Sequence, residues 1–244
     1  MSRELLPEPG TSQAVGACLT LAPSHRRISD VMTASPYDNL LKRYADYAPV
    51  YDRQWARYSQ ATLARALEAV MVLSTDSRPL HLVDVACGTG IFADMLRTQI
   101  PHISIAGVDL STDMLMKFRD RFAGDTRITA HAGSAENLPF EDHQFDVLTC
   151  NNAFHLIADA PAALAEFRRV LRPGGHVVIV DWCRDYLSMK ALHAYLRRFG
   201  RHPRRIRLMR EMAELVTAAG FGIHEEKRFK ATPFWGMMRI VARA

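Results

Sequence analysis

Residues 79–90 read Pro-Leu-His-Leu-Val-Asp-Val-Ala-Cys-Gly-Thr-Gly, a short apolar run that ends in a glycine-rich loop. The run predicts a strand buried on both faces, as in a parallel sheet. Small residues in the loop let the backbone approach a ligand, and a helix starting at Ile91 offers its unpaired N–H groups there. Nineteen residues after Gly90, Asp109 closes a second strand-like run, HISIAGVDL (102–110). A carboxylate at that place suits the two hydroxyls of a ribose, so the pair indicates an adenosine-containing ligand at the carboxyl edge of the sheet.

Outward from this stretch, strand and helix patterns alternate. Helical spacing of apolar residues marks 59–73, 91–99 and 159–171, and Ser111 reads as the N-cap of a helix reaching about Arg121. Further strands are predicted at 127–131, 145–150 and 176–181, the last after the stop signal Pro173-Gly174-Gly175. The runs 221–230 and 234–242 read as an antiparallel hairpin. The expected fold is α/β: a doubly wound, mainly parallel seven-stranded sheet with an antiparallel C-terminal hairpin. Residues 1–36, with four prolines and little periodicity, read as a mobile tail, and 37–244 as one domain.

Composition narrows the function. Of the 244 residues 48% are hydrophobic and 23% charged, the balance of a water-soluble globular chain. No run approaches the roughly 18–20 apolar residues that span a bilayer. The residues before Cys18 are too polar, and Glu4 and Glu8 too acidic, for a secretory signal, which predicts a cytoplasmic protein. Four scattered cysteines (Cys18, Cys87, Cys150, Cys183) make neither a disulfide framework nor a zinc site. The net charge of +5 is local: residues 190–210, with Lys190 and seven arginines, contribute +8 and leave −3 for the rest. A DNA partner is excluded on that balance and RNA is disfavoured.

The glycine loop alone also fits a dinucleotide fingerprint, Gly88-x-Gly90-x-x-Ala93. Asp84, four residues before Gly88, tips the balance away from it: a carboxylate there repels a pyrophosphate and suits a cationic amine. One acid for a ribose and one for an amine match S-adenosyl-L-methionine (SAM), which carries both groups and a sulfonium.

At this point the sequence resembles the class I SAM-dependent methyltransferases, specifically the small-molecule group similar to ubiquinone/menaquinone-biosynthesis enzymes (methyltransferase type 11). The matching segments are VDVACGTG (83–90), GVDLSTDML (107–115), GSAENLPFEDHQFDVLTC (133–150) and LRPGGHVVIVDW (171–182). The resemblance implies that Asp84, Ala86, Cys87, Gly88 and Gly90 hold the methionyl part of SAM. Asp109 would bind the ribose, Leu110 and Met114 flank the adenine, and Ser134, Ala135 and Glu136 meet its edge. Many relatives carry Asp where Ser134 stands. Asn151 would lie beneath the methionine, and Tyr51 and Tyr58 would close over it, with Tyr44 offering a competing register. His155 is the candidate base, against the alternative of a histidine that only fixes its loop by hydrogen bonds. Cys183, Asp185, Tyr186 and Trp235 are acceptor-facing candidates, and 183–210 corresponds to the substrate cap of this fold. The implied reaction is in-line methyl transfer to a small-molecule acceptor, at O, N, C or S, with S-adenosyl-L-homocysteine as product, no metal, and a homodimer allowed. The alternatives are a catalytically silent SAM-binding regulatory or scaffold module, an RNA methyltransferase using the arginine-rich segment, and a nicotinamide-dependent oxidoreductase.

Overall fold

In the computed structural model, which describes residues 37–48, 50–74, 78–199 and 205–244, seven strands form one sheet in the order β3-β2-β1-β4-β5-β7-β6. They are β1 (Leu80–Val85), β2 (Ile103–Asp109), β3 (Ile128–Ala132), β4 (Phe145–Asn151), β5 (Leu171–Trp182), β6 (Gly222–Lys230) and β7 (Gly236–Arg243). The first five pair in parallel; β7 runs antiparallel to both β5 and β6. The predicted tail over 1–36 lies outside the described residues.

The ladder follows from residue chemistry. Strands β1 and β4 are buried along most of their length and β5 carries the apolar run Val177–Val180, because helices cover both faces of the sheet there. β7 is buried along its length between two strands, whereas the edge strand β6 is half-exposed and carries Glu225, Glu226, Lys227 and Arg228, charges that discourage edge-to-edge pairing. Arg239, the buried cation of β7, is neutralised there by Glu225 at 2.7 Å and Glu68 at 3.3 Å.

Helices α2 (Tyr51–Leu73), α3 (Ile91–Gln99), α4 (Thr112–Arg121) and α6 (Leu187–Phe199) pack on one face of the sheet. Helices α5 (Ala160–Val170) and α7 (Met209–Ala218) pack on the other. Ser111 caps α4 as its sequence position predicts, its Oγ accepting from Met114 N at 3.3 Å.

Three boundaries differ from the sequence reading. α2 begins at Tyr51 rather than Ser59. Its polar first turns are fixed by tertiary bonds, since Asp52 accepts from Thr89 Oγ1 at 2.6 Å and pairs with Arg121. α1 (Asp38–Tyr47) precedes it; its apolar face, Leu40, Leu41 and Tyr44, covers little more than one turn. β5 begins at Leu171, because Leu171 pairs with Phe145 and the Pro-Gly-Gly stretch becomes an irregularity inside the strand rather than a stop.

Candidate functional site

The carboxyl ends of β1, β2 and β4 and the N-terminal helices α1 and α2 enclose a cavity, with about 790 Å³ of non-protein space including its mouth. Val85, Ala86 and Gly88 form one wall, Asp109, Leu110, Ser111 and Met114 a second, and Gly133, Ala135 and Glu136 a third. Asn151, Asn152 and Ala153 close it from β4, and Tyr37, Leu40, Leu41, Tyr44 and Tyr51 cover it.

The loop after β1 takes its shape from backbone in the left-handed region: Ala86 at φ 59°, Gly88 at 55° and Gly90 at 84°. The glycines do different work. A Cβ on Gly88 would meet nothing within 4 Å, so this residue leaves open space at the cavity wall. A Cβ on Gly90 would lie 2.7 Å from the Phe122 ring and 2.9 Å from the Phe118 ring, so this glycine admits α4 against the loop.

Asp109 receives Gly88 N–H on Oδ2 and Ser111 N–H on Oδ1, each at 2.8 Å. Both oxygens keep lone pairs for further donors. Burial raises the Asp109 carboxyl above its ordinary range, with these backbone bonds opposing. Asp84 sits behind the wall, fully buried, its Oδ1 accepting from Thr149 Oγ1 at 2.6 Å. Burial, helped by the charge of Asp109, pushes Asp84 up to about 7. The Asn151 carboxamide is buried, lines the cavity, and has no partner for either its oxygen or its nitrogen among the described residues. The Oε2 atom of Glu136 is likewise buried and unpartnered, while its Oε1 is held by Tyr37 OH.

A second pocket adjoins the first and shares Tyr44, Tyr51 and Asn152 with it. Its other lining residues are Arg43, Trp55, Tyr58, His155, Trp182 and Trp235. The rings brace one another: Trp182 and Trp235 lie 4.8 Å apart, and Tyr58 lies 5.5 Å from Trp235 and 5.6 Å from Trp55. Tyr58 OH accepts from Trp182 Nε1 at 2.7 Å and donates to Asn152 Oδ1 at 2.8 Å. Asn152, at φ 58°, is further tied to α2 through Thr62.

His155, on a single 3-10 turn (Phe154–Leu156), is buried and stacks on Trp182 at 4.0 Å with the planes 12° apart. Its Nδ1 lies 2.7 Å from Asp181 Oδ1, which also accepts from Trp182 N at 2.8 Å. A carboxylate only accepts, so Nδ1 carries a proton, and it is the neutral form of the ring that has its lone pair on Nε2.

Among the residues singled out in the sequence, Ala86, Gly88, Asp109, Leu110, Met114, Ala135, Glu136, Asn151 and Tyr51 line the first cavity. His155 and Trp235 line the second. Others lie elsewhere. Tyr58 belongs to the aromatic pocket and not to the first cavity, because α2 runs past the loop before reaching it. The Cys87 side chain turns into the core beneath Gly107. Ser134 is engaged with Asn137 in a bridge outside the lining. Cys183 is buried and bridges to Arg207, and its Sγ donates to Asp185 at 3.4 Å. Asp185 also accepts from Met209 N, and Tyr186 packs over Gly236. The chain turns after Trp182, which takes Cys183 and Asp185 toward α7 and leaves Trp182 itself in the pocket. The sequence reading misses Tyr37, Leu40, Trp55, Asn152, Asp181 and Trp182. Asp181 alone had a signal, as the acid ending a buried strand.

Residues 83–179 match the methyltransferase domain family. The demethylmenaquinone methyltransferase of Deinococcus radiodurans is 37% identical over 132 residues, covering 54% of this chain and 50% of that protein. The ubiquinone/menaquinone biosynthesis C-methyltransferase UbiE of Geobacter sulfurreducens is 31% identical over 161 residues, covering 64% and 63%. The chain spans about half the length of the first curated relatives it matches. Among solved structures, the methyltransferase in complex with the Haloferax volcanii Trm112 activator superposes with a TM-score of 0.70 over 82% of this chain and 97% of that one, at 20% identity, a likeness of fold. Residues 83–179 of this chain are thus similar to the methyltransferase domain family, and its strand order is the fold of that solved methyltransferase structure.

Proposed function

We propose that this protein transfers the methyl group of SAM to a small-molecule acceptor held in the aromatic pocket. The observation that carries the reading is the pair of adjoining cavities: an acid-floored one beside the glycine loop and an aromatic one with a histidine–carboxylate pair, meeting at Tyr44, Tyr51 and Asn152. The first cavity fits SAM by its donor set. It offers a half-buried carboxylate with spare lone pairs for ribose hydroxyls, the buried Asn151 carboxamide, and a second, buried acid behind its wall, where a pyrophosphate would be repelled and a cation welcomed. When bound, SAM supplies an electrophilic methyl on a sulfonium, with a neutral leaving group.

The work left to the protein is alignment and exclusion of water, worth up to roughly 7–11 kcal/mol of the barrier. Asp109 and Gly88 would hold the ribose side, and Asn151 the methionyl side. Tyr44 and Tyr51 close the junction, and six aromatic rings around the second pocket grip a flat ring body. Relatives named for demethylmenaquinone and ubiquinone favour an acceptor of that shape. His155 Nε2 would take the acceptor's proton, and Asp181 would hold the ring in the correct tautomer and stabilise the imidazolium.

Calorimetric titration with SAM, S-adenosylhomocysteine and NADH tests the reading, followed by labelled-methyl transfer to a panel of hydroxylated ring compounds. Binding of the first two ligands, with transfer lost in His155→Ala, is the expected result. Binding of NADH alone overturns the cofactor, and SAM binding without transfer to any acceptor favours a silent binding module.

A further inference from the structure

We propose that the outer face of α6, together with the turn at Phe234, docks on an anionic lipid surface. The helix buries Met189, with Leu192 and Leu196 half-buried beside it, and turns the opposite side to solvent. On that side Leu187, Ala191, Tyr195 and Phe199 recur at every fourth residue, a single ridge along the helix. Leu187 is 81% exposed, Phe199 65% and Tyr195 61%, values at odds with a surface meant only for water. Tyr195 and Phe199 pack against each other at 5.3 Å. The ridge continues onto Phe234, 48% exposed, whose carbonyl accepts from Ser188 Oγ at 2.6 Å.

Charge identifies the occupant. Lys190 and Arg197 flank the ridge, Arg198 lies over the Phe199 ring at 5.0 Å, and all three are exposed with no carboxylate at ion-pair distance among the described residues. α6 itself contains no acid. A cationic helix with an exposed Leu–Tyr–Phe ridge is the pattern of a helix lying in the headgroup region of an anionic leaflet. A second copy fits poorly, because a two-fold contact through this face would bring like charges together. Phe234 stacks edge-on against Trp235, which lines the aromatic pocket, so docking would bring that pocket near the membrane surface.

The test needs no methyl transfer. The full chain is sedimented with vesicles of phosphatidylcholine alone and of phosphatidylcholine mixed with phosphatidylglycerol, at low and high salt. Two triple variants are run beside it: Lys190→Glu/Arg197→Glu/Arg198→Glu, and Leu187→Ser/Tyr195→Ser/Phe199→Ser, which leave the buried side of α6 intact. Far-UV circular dichroism and SAM titration check folding. The expected result is salt-sensitive binding to the mixed vesicles only, reduced on the order of tenfold or more in each variant. Equal binding to both vesicle types, vesicle binding unchanged in either folded variant, or loss in the variants of a dimer or an RNA complex with no vesicle binding by the parent chain would each overturn the proposal.

Discussion

Asp84→Asn removes a buried charge and leaves its bonding intact. Asp84 is fully buried, and its carboxyl is raised from 3.8 to about 7, chiefly by burial and then by the charge of Asp109. Below about pH 4 the carboxyl is protonated in both the folded and the unfolded chain, and the site costs nothing. As pH rises from 4 to 7 the unfolded chain releases the proton and the folded chain retains it, so stability falls; above 7 the full cost stands. The gap of about 7 against 3.8, at about 1.36 kcal/mol per pH unit, sets that cost at about 4 kcal/mol as an upper bound. Asparagine stays neutral and still accepts from Thr149, while the unpartnered carboxamide of the neighbouring Asn151 offers its new N–H an acceptor. The variant should therefore match the parent chain near pH 4 and exceed it by about 2–4 kcal/mol at pH 8, read by urea unfolding across that range. SAM affinity at pH 8 should move the other way, weakening roughly tenfold or more with the loss of the anion that faces a cationic ligand. A stability gap that does not change with pH, or a variant less stable than the parent at pH 8, would refute the account of Asp84 as a strained buried acid.

Asp109→Ala removes the acceptor of two backbone N–H groups as well as the ribose contact, so SAM affinity should fall roughly tenfold or more by calorimetry and thermal stability should fall with it. His155→Ala should lower turnover on the order of a hundredfold with SAM affinity near that of the parent, whereas collapse of the fold would assign His155 to structure alone. Asp181→Asn should lower turnover by roughly 10–100-fold through loss of a charge-assisted bond, leaving the SAM titration unchanged. The two loop glycines should separate. Gly90→Ala, whose Cβ meets two rings, should cost about 2 kcal/mol or more in stability, while Gly88→Ala should cost about 1 kcal/mol and chiefly weaken SAM binding.

Sequence makes legible what short-range chemistry dictates. The Ser111 cap and the Ser111 N–H bond to Asp109 are made by neighbours a few residues away, and they stand where local pattern puts them. Alternation and crossover handedness make the mainly parallel class legible, whereas the order β3-β2-β1-β4-β5-β7-β6 emerges only in the folded sheet. The aromatic pocket is a different matter, because Trp55, Trp182 and Trp235 meet only once three elements are packed. Nothing local marks Trp55 as a pocket residue: its helix turn is polar and is held through Asp52 to the loop and α4. Cys183, Asp185 and Tyr186, expected to face an acceptor from their place beyond a strand end, lie outside the two cavities, with contacts to Arg207, Met209 and Gly236 that form only on packing. The arginine run divides similarly, with Arg207 buried over the Phe154 ring and Arg197 and Arg198 exposed.

The placing of acids follows from the charge movement in the proposed reaction. A positive charge disappears at the cofactor's sulfur while another arises on the base that accepts the proton. In a low-dielectric site a preorganised anion beside the base favours that exchange, while acids at the cofactor end contribute by binding the cationic ligand. The two cavities divide these roles: Asp109 lines one, with the buried Asp84 behind its wall, and Asp181, fully buried, backs His155 at the wall of the other. Between them stand Tyr44, Tyr51 and Asn152, neutral groups that divide the two sites. Asn152 is locked from α2 by Tyr58 and Thr62, so its amide is a fixed dipole rather than a mobile one. Asn152→Ala should consequently lower turnover more than it weakens either ligand, because it frees the partition without removing an anion; a purely binding defect, with turnover intact, would show that the partition positions ligands only.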